Sequence, residues 1–286
     1  MTTLDSKQYK EEERQKWDNV AQGWQKWWKP IERGAEKISR RLTERVEIKS
    51  GSTVLDIATG IGEPAITAAK QVGSNGHVLA TDISPQMLSV AKQRAISLGL
   101  QDVIEFIKGD IETIVLPPSA FDAALCRFGL MFLPDLEGGL SNIYKSLKEG
   151  GRFAAAVLGS PDKVPFISLP LNIVLKETNT PPPPPGTPGP FSLSDENSLK
   201  NSFITSGFKD PTIEKMNLSL DFESADEFTN FVIAIAAPVQ TILAKQSHER
   251  KEEILKAITE AAKKYADNNT GKVRFDNEAM LIVDKK

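Results

Sequence analysis

Three aspartates close three successive β-rich runs: Asp56 in TVLDIATGIGEPA (53–65), Asp82 in HVLATD (77–82) and Asp110 in IEFIKGD (104–110). After the first run, Gly60, Gly62 and Ala65 spell G-x-G-x-x-A, a turn that brings a ligand close to backbone N–H groups. Such a turn at a helix start can seat the pyrophosphate of a dinucleotide. The neighbouring charges argue against that here. Asp56 ends the strand and Glu63 opens the helix, so an anion would meet two carboxylates and a cationic ligand would be attracted. Asp82 stands twenty residues after Gly62, where a carboxylate can accept both hydroxyls of a ribose. Asp110 is placed to accept from an adenine amino group while Ile111 packs on the ring. The chemistry expected of this set is the holding of a nucleoside that carries positive charge.

Further candidates follow the fourth run, FDAALCRF (121–128). Arg127 leaves an apolar strand on the side where ligands bind, and a buried guanidinium needs a partner. Glu63 or Asp135 would serve structurally; an acidic or carbonyl group on a second substrate would serve functionally. Cys126 reads as a small buried hydrophobe rather than a nucleophile. One cysteine excludes an intramolecular disulfide, and with only two histidines, His77 and His248, no metal centre is expected. Both histidines read as solvated, and neither is a convincing general base. A net charge of −3, from 35 basic and 38 acidic residues, gives no field for gathering nucleic acid. The polar N-terminus MTTLDSKQYKEEER has no apolar signal core, and the longest apolar run, FVIAIAAPV, is too short to span a bilayer. A cytoplasmic protein without stable membrane insertion is expected, as monomer or homodimer.

The elements that must position these residues alternate in the rhythm of a parallel sheet. Ser84-Pro85 starts a helix that Gly99 ends, and Asp135 starts another before Gly150-Gly151. Residues 51–160 thus form the binding core. Residues 1–50 form a helical N-terminal lid; within it Trp17, Val20, Ala21, Trp24 and Trp28 share one face, and all four tryptophans lie in this element. Residues 161–193 hold the apolar stretch FISLPLNIVL and then PPPPPGTPGP, which is extended and stiff, a loop over the core. Residues 194–286 complete the single domain: a helix ending at Ser206-Gly207, two edge strands over 212–222 and 273–284, and a helical insertion (223–270) between them.

VLDIATGIGEPA, VLATDISPQMLSVAKQRA, IEFIKGDIE, FDAALCRFGLMFLPD and SLKEGGRFA, in this order, resemble the class I S-adenosylmethionine (SAM)-dependent methyltransferases of the type 11 group, near the ubiquinone/menaquinone biosynthesis C-methyltransferases. The resemblance is strong over residues 15–160. It implies an α/β, Rossmann-like fold: a seven-stranded, mostly parallel sheet with an antiparallel last strand, under a cap of helical insertions. It implies SAM as cofactor, with S-adenosylhomocysteine (SAH) as product. Asp56 with Gly60 and Gly62 would position the methionine part, Asp82 the ribose, and Asp110 with Ile111 the adenine. Cys126 or Arg127 would offer backbone to the amino group, and Trp24 matches an aromatic that the family places over the cofactor. Ala58, Thr59, Ile83 and Met87 complete the implied cofactor set, with Thr59 standing where many members carry cysteine or glycine.

The expected reaction is in-line methyl transfer to a small, largely hydrophobic acceptor at C, O or N. CRFGLMF lacks the Asn/Asp-Pro-Pro-aromatic pattern of enzymes that methylate planar amines. Glu63, Arg127 and Phe128 are the catalytic candidates. Phe166, Ile167, Leu169, Leu171, Ile173, Phe228, Phe231, Val232 and Ile235 could roof an acceptor pocket. Three other readings compete: non-methylating chemistry on the same cofactor and fold, an NAD(P) oxidoreductase, and a lipid-quinone enzyme that uses Lys37, Arg40, Arg41 and Arg45 at a membrane surface.

Overall fold

The computed structural model describes residues 6–184 and 186–286; Met1–Asp5 of the N-terminal segment and Pro185 of the proline run lie outside the described residues. Seven strands form one sheet in the order β3-β2-β1-β4-β5-β7-β6. β1 (Thr53–Ile57), β2 (His77–Asp82), β3 (Ile104–Lys108), β4 (Phe121–Arg127) and β5 (Leu147–Leu158) are parallel. β7 (Val273–Lys285) runs antiparallel between β5 and the edge strand β6 (Thr212–Phe222). The strand pair expected from alternation is therefore present. The central strands are apolar on both faces, as a sheet covered by helices on both sides requires: Ala154, Ala155, Ala156 and Val157 of β5 are fully buried.

Local sequence explains the connecting helices. α2 is Ala65–Val72. α3 (Pro85–Ser97) begins where the Ser84 hydroxyl accepts from the Met87 N–H at 3.1 Å, with Pro85 in its first turn. α4 (Leu136–Ser146) begins where Asp135 accepts from the Gly138 N–H at 2.9 Å. α6 is Glu196–Thr205.

The 40-residue α1 (Ser6–Arg45) crosses the core and meets both the sheet and the cap. Its crossing points are glycines: a Cβ on Gly23 would stand 1.8 Å from the Ala234 carbonyl oxygen, and one on Gly34 would stand 2.4 Å from that of Ser219. FISLPLNIVL, expected within a loop region, folds as helix α5 (Pro165–Glu177) despite Pro170. The helical insertion divides into α7 (Ala225–Ile235), α8 (Ala237–Leu243) and α9 (His248–Ala262). These helices enclose a second core with Trp27 of α1, built on Phe222, Phe228, Phe231 and Phe275. The basic run on α1 is partly committed to β6: Arg41 donates to Glu214 at 2.9–3.1 Å, and Arg45 lies 3.6 Å from the same carboxylate. Among the described residues no helix is long and apolar enough to cross a membrane, and no cluster of potential metal ligands occurs.

Candidate functional site

Sheet winding reverses between β1 and β4, and a crevice opens beyond the carboxyl ends of these strands, where ligands bind in such sheets. A cavity of about 310 Å³ fills it and continues beneath the cap. Asp82 anchors one end. Its Oδ2 accepts from the Gly60 N–H and its Oδ1 from the Ser84 N–H, both at 2.8 Å, so the carboxylate ties the glycine turn to β2. Burial pushes Asp82 up to about 6, against the pull of these two N–H donors. Two non-glycine residues on the wall, Ala58 (φ 53°) and Phe128 (φ 62°), hold left-handed backbone conformations, a strain typical of functional loops. A Cβ on Gly129 would lie 2.4 Å from the Ala58 Cβ, so only glycine lets the β4 loop press against the β1 loop.

Of the sequence-predicted residues, Trp24, Ala58, Thr59, Gly60, Glu63, Asp82, Ile83, Met87, Asp110, Ile111, Arg127 and Phe128 line this cavity. Asp56, Gly62 and Cys126 are not on its wall. Asp56 is fully buried and accepts from the Ala65 N–H at 2.9 Å, which secures the start of α2. Burial pushes its carboxyl up to about 7. The expectation that Asp56 and Glu63 together face a cation is thus corrected: Asp56 stands behind the loop, and Glu63 alone of the two reaches the cavity. Cys126 is enclosed between β1 and β5, and burial pushes its thiol up to about 12, which leaves no nucleophile.

Arg127 also departs from expectation. Its partner is neither Glu63 nor Asp135 but Glu32 of α1, which it meets through two nitrogens at 2.7 and 3.0 Å, with the Ser39 hydroxyl accepting at 2.7 Å. This buried ion pair fastens the middle of α1 to the end of β4. Asp110 is similarly met from α1: Lys10 donates to it at 2.7 Å and also pairs with Glu112. Sequence reasoning missed Tyr9, Lys10, Glu13, Ile31 and Ala35 as wall residues. A signal existed, because positions 9, 13, 17, 24, 31 and 35 recur at helical spacings of four and seven, continuing the tryptophan face in both directions. Glu32 carried no such signal; only the crossing of α1 over β4 brings it to Arg127.

The far half of the cavity is apolar. Phe166, Ile167 and Leu171 of α5, with Phe231, Val232 and Ile235 of α7, form its roof together with Leu218 and Leu220 of β6. Phe228, Leu169 and Ile173, expected with them, pack into the second core without reaching the cavity wall. The proline segment folds back onto the β4 loop, with Gly189 N–H and the Ser192 hydroxyl both donating to the Met131 carbonyl at 2.8 and 2.7 Å. Pro190 thereby joins the wall.

Fold and crevice define an α/β core with a ligand-sized cavity at the switch point of its sheet, and residues 48–173 match the family model described as a methyltransferase domain. Over that stretch, less than half of its length, the chain is similar to methyltransferase domains. Over 100 residues it is 38% identical to a ubiquinone/menaquinone biosynthesis C-methyltransferase of Bradyrhizobium sp., which covers 35% of this chain and 40% of the relative. A Brucella anthropi protein of the same description is 38% identical over 105 residues, or 37% of this chain and 40% of the relative. The chain thus spans about two-fifths of the length of these curated relatives. Two solved structures share the fold. The YcgJ protein of Bacillus subtilis matches at TM-score 0.58 and 18% identity, over 88% of this chain and 98% of its own. Phosphoethanolamine N-methyltransferase 2 of Haemonchus contortus, solved with phosphomonomethylethanolamine and SAH, matches at TM-score 0.54 and 20% identity, over 87% of this chain and 52% of its own.

The residues present fit SAM. Thr59 offers a buried hydroxyl without a hydrogen-bond partner in the cavity wall, and a Cβ on Gly60 would meet nothing within 4 Å, so the turn leaves room for a ligand. Asp82 adds a carboxylate of the kind that accepts from ribose hydroxyls, and Asp110 lies on the same wall.

Proposed function

We propose that this chain transfers a methyl group from SAM to a small, largely hydrophobic molecule at a carbon, oxygen or nitrogen atom. The observation that carries this reading is one continuous cavity joining a carboxylate-marked nucleoside seat to an apolar chamber under α5 and α7. The similarity to C-methyltransferases of quinone biosynthesis points the same way. When bound, SAM supplies a methyl group on a positively charged sulfur, open to in-line displacement. The chain's part is alignment. Asp82 holds the ribose, Asp110 and Ile111 receive the adenine, and Thr59, Gly60 and the Arg127 backbone hold the methionine end. Trp24 covers the cofactor from α1, and the cap excludes water and orients the acceptor. Alignment of this kind can remove on the order of 7–11 kcal/mol from a bimolecular barrier. A reducing cytoplasm suits the single buried cysteine.

Two measurements test the reading. Calorimetric titration should give tight binding of SAH and none of NADH; the reverse result would make the chain an oxidoreductase. Tritiated SAM incubated with the protein and a cell extract should yield labelled organic-soluble product with matching SAH. Turnover of an acceptor without SAH release would mean that the cofactor serves a different reaction.

A further inference from the structure

We propose that Glu63 takes the proton that the acceptor loses as it is methylated; this rests on the methyl-transfer reading above. Glu63 lines the cavity at the end of the β1–α2 connection, two residues before α2. Its Oε2 accepts from the Thr67 hydroxyl at 2.7 Å and from the Thr67 N–H at 3.3 Å, so the side chain is held in place. Its Oε1 takes no hydrogen bond among the described residues and meets Arg94 only as a loose ion pair at 3.8 Å. That oxygen is available to a ligand.

The other carboxylates on the wall are committed. Glu13 accepts from Lys16 at 2.7 Å, Asp82 from two backbone N–H groups, and Asp110 and Glu112 share Lys10. Neither histidine lines the cavity, and burial raises Tyr9 away from any role as a base. Charged groups face Glu63 from every packed element: Glu32 of α1, Asp56 of β1, Arg94 of α3 and Arg127 at the end of β4. Arg127 is already neutralised by Glu32. Burial, reinforced by Glu32, raises the Glu63 carboxyl above the usual range against the pull of Arg127, Thr67 and Arg94. A carboxylate so placed holds a proton more strongly than one in water, the property that general bases need.

In the step, the acceptor's electron pair forms the new bond to the methyl carbon while the S–CH₃ pair returns to sulfur. The acceptor's proton passes to Oε1 of Glu63 and from there to solvent once SAH and product leave. Only ionised Glu63 can act, so the rate should rise with pH through its raised titration range.

The test uses the full chain, with Glu63→Gln and Glu63→Asp variants. Infrared difference spectra of the wild type should show a carboxyl band titrating above the range of exposed glutamates, and E63Q should lack it. Urea unfolding of E63Q should stay cooperative, with a circular dichroism spectrum like that of the wild type, which excludes a folding defect. Tritium transfer from labelled SAM into organic-soluble extract material should fall by about 10²–10⁴-fold in E63Q and lose its acidic limb, with partial recovery in E63D. Wild-type-like transfer by E63Q at all pH values, or the absence of a raised carboxyl band, overturns the proposal alone. A wild type that binds SAH yet transfers no tritium overturns the methyl-transfer reading and this proposal with it.

Discussion

Asp82 and Asp56 end neighbouring strands, yet they do different work. Asp82 lies on the cavity wall and orders the glycine turn, whereas Asp56 is sealed behind that turn and holds the start of α2. Asp82→Asn should therefore weaken SAH binding by about 10–100-fold, the cost of about 1.5–3 kcal/mol for a hydrogen bond to a charged group. Asp56→Asn should leave SAH affinity within about threefold. Calorimetry on the two variants separates these roles. Arg127 makes a different prediction, because its pairing with Glu32 leaves both charges largely out of water. Arg127→Met strands Glu32 and should cost about 3–5 kcal/mol in urea unfolding; the double variant R127M/E32L should recover most of that loss.

At the scale of elements, α1 is the part that completes the site. It brings Lys10 to Asp110, Trp24 to the cavity wall and Glu32 to Arg127. Its close crossing with the end of α7 depends on Gly23, where a Cβ would overlap the Ala234 carbonyl. Gly23→Ala should destabilise the fold by about 1–3 kcal/mol, the usual cost of overpacking, with weaker SAH binding because the helix must lift away. The tryptophans provide a direct readout. Trp17 and Trp24 face the cavity, whereas Trp27 packs edge-on against Phe231 in the second core at 5.6 Å. SAH should change tryptophan emission in the wild type and in W27F, and this change should shrink in W17F and W24F.

At the scale of the whole molecule, buried acids couple stability to pH. Burial pushes Asp56 up to about 7 and Asp82 up to about 6, above the value of about 3.9 expected in the unfolded chain. The native state therefore holds more protons than the unfolded state within that window. The stabilisation from these groups is fully present below about pH 4 and is lost as pH rises through about 6–7. Urea unfolding across this range should show the wild type losing stability relative to D56N as pH increases. A difference independent of pH would mean that Asp56 titrates normally in the folded protein.

Local pattern made much of this legible. Strand and helix order, the capping residues Ser84 and Asp135 and the final strand pair could be read because each depends on neighbours within a few positions. The cofactor set came from the family resemblance, and ten of its thirteen residues lie on the cavity wall. Periodicity also marked the face of α1 that carries Trp17 and Trp24. Tertiary structure alone decided that Asp56 turns away from the cavity, that Arg127 pairs with Glu32, and that Phe231 reaches the cavity from the second core while Phe228 stays buried inside that core. Those outcomes depend on how elements far apart in the chain cross one another. Burial and pairing of a charge are properties of that crossing, not of the residues beside it in sequence.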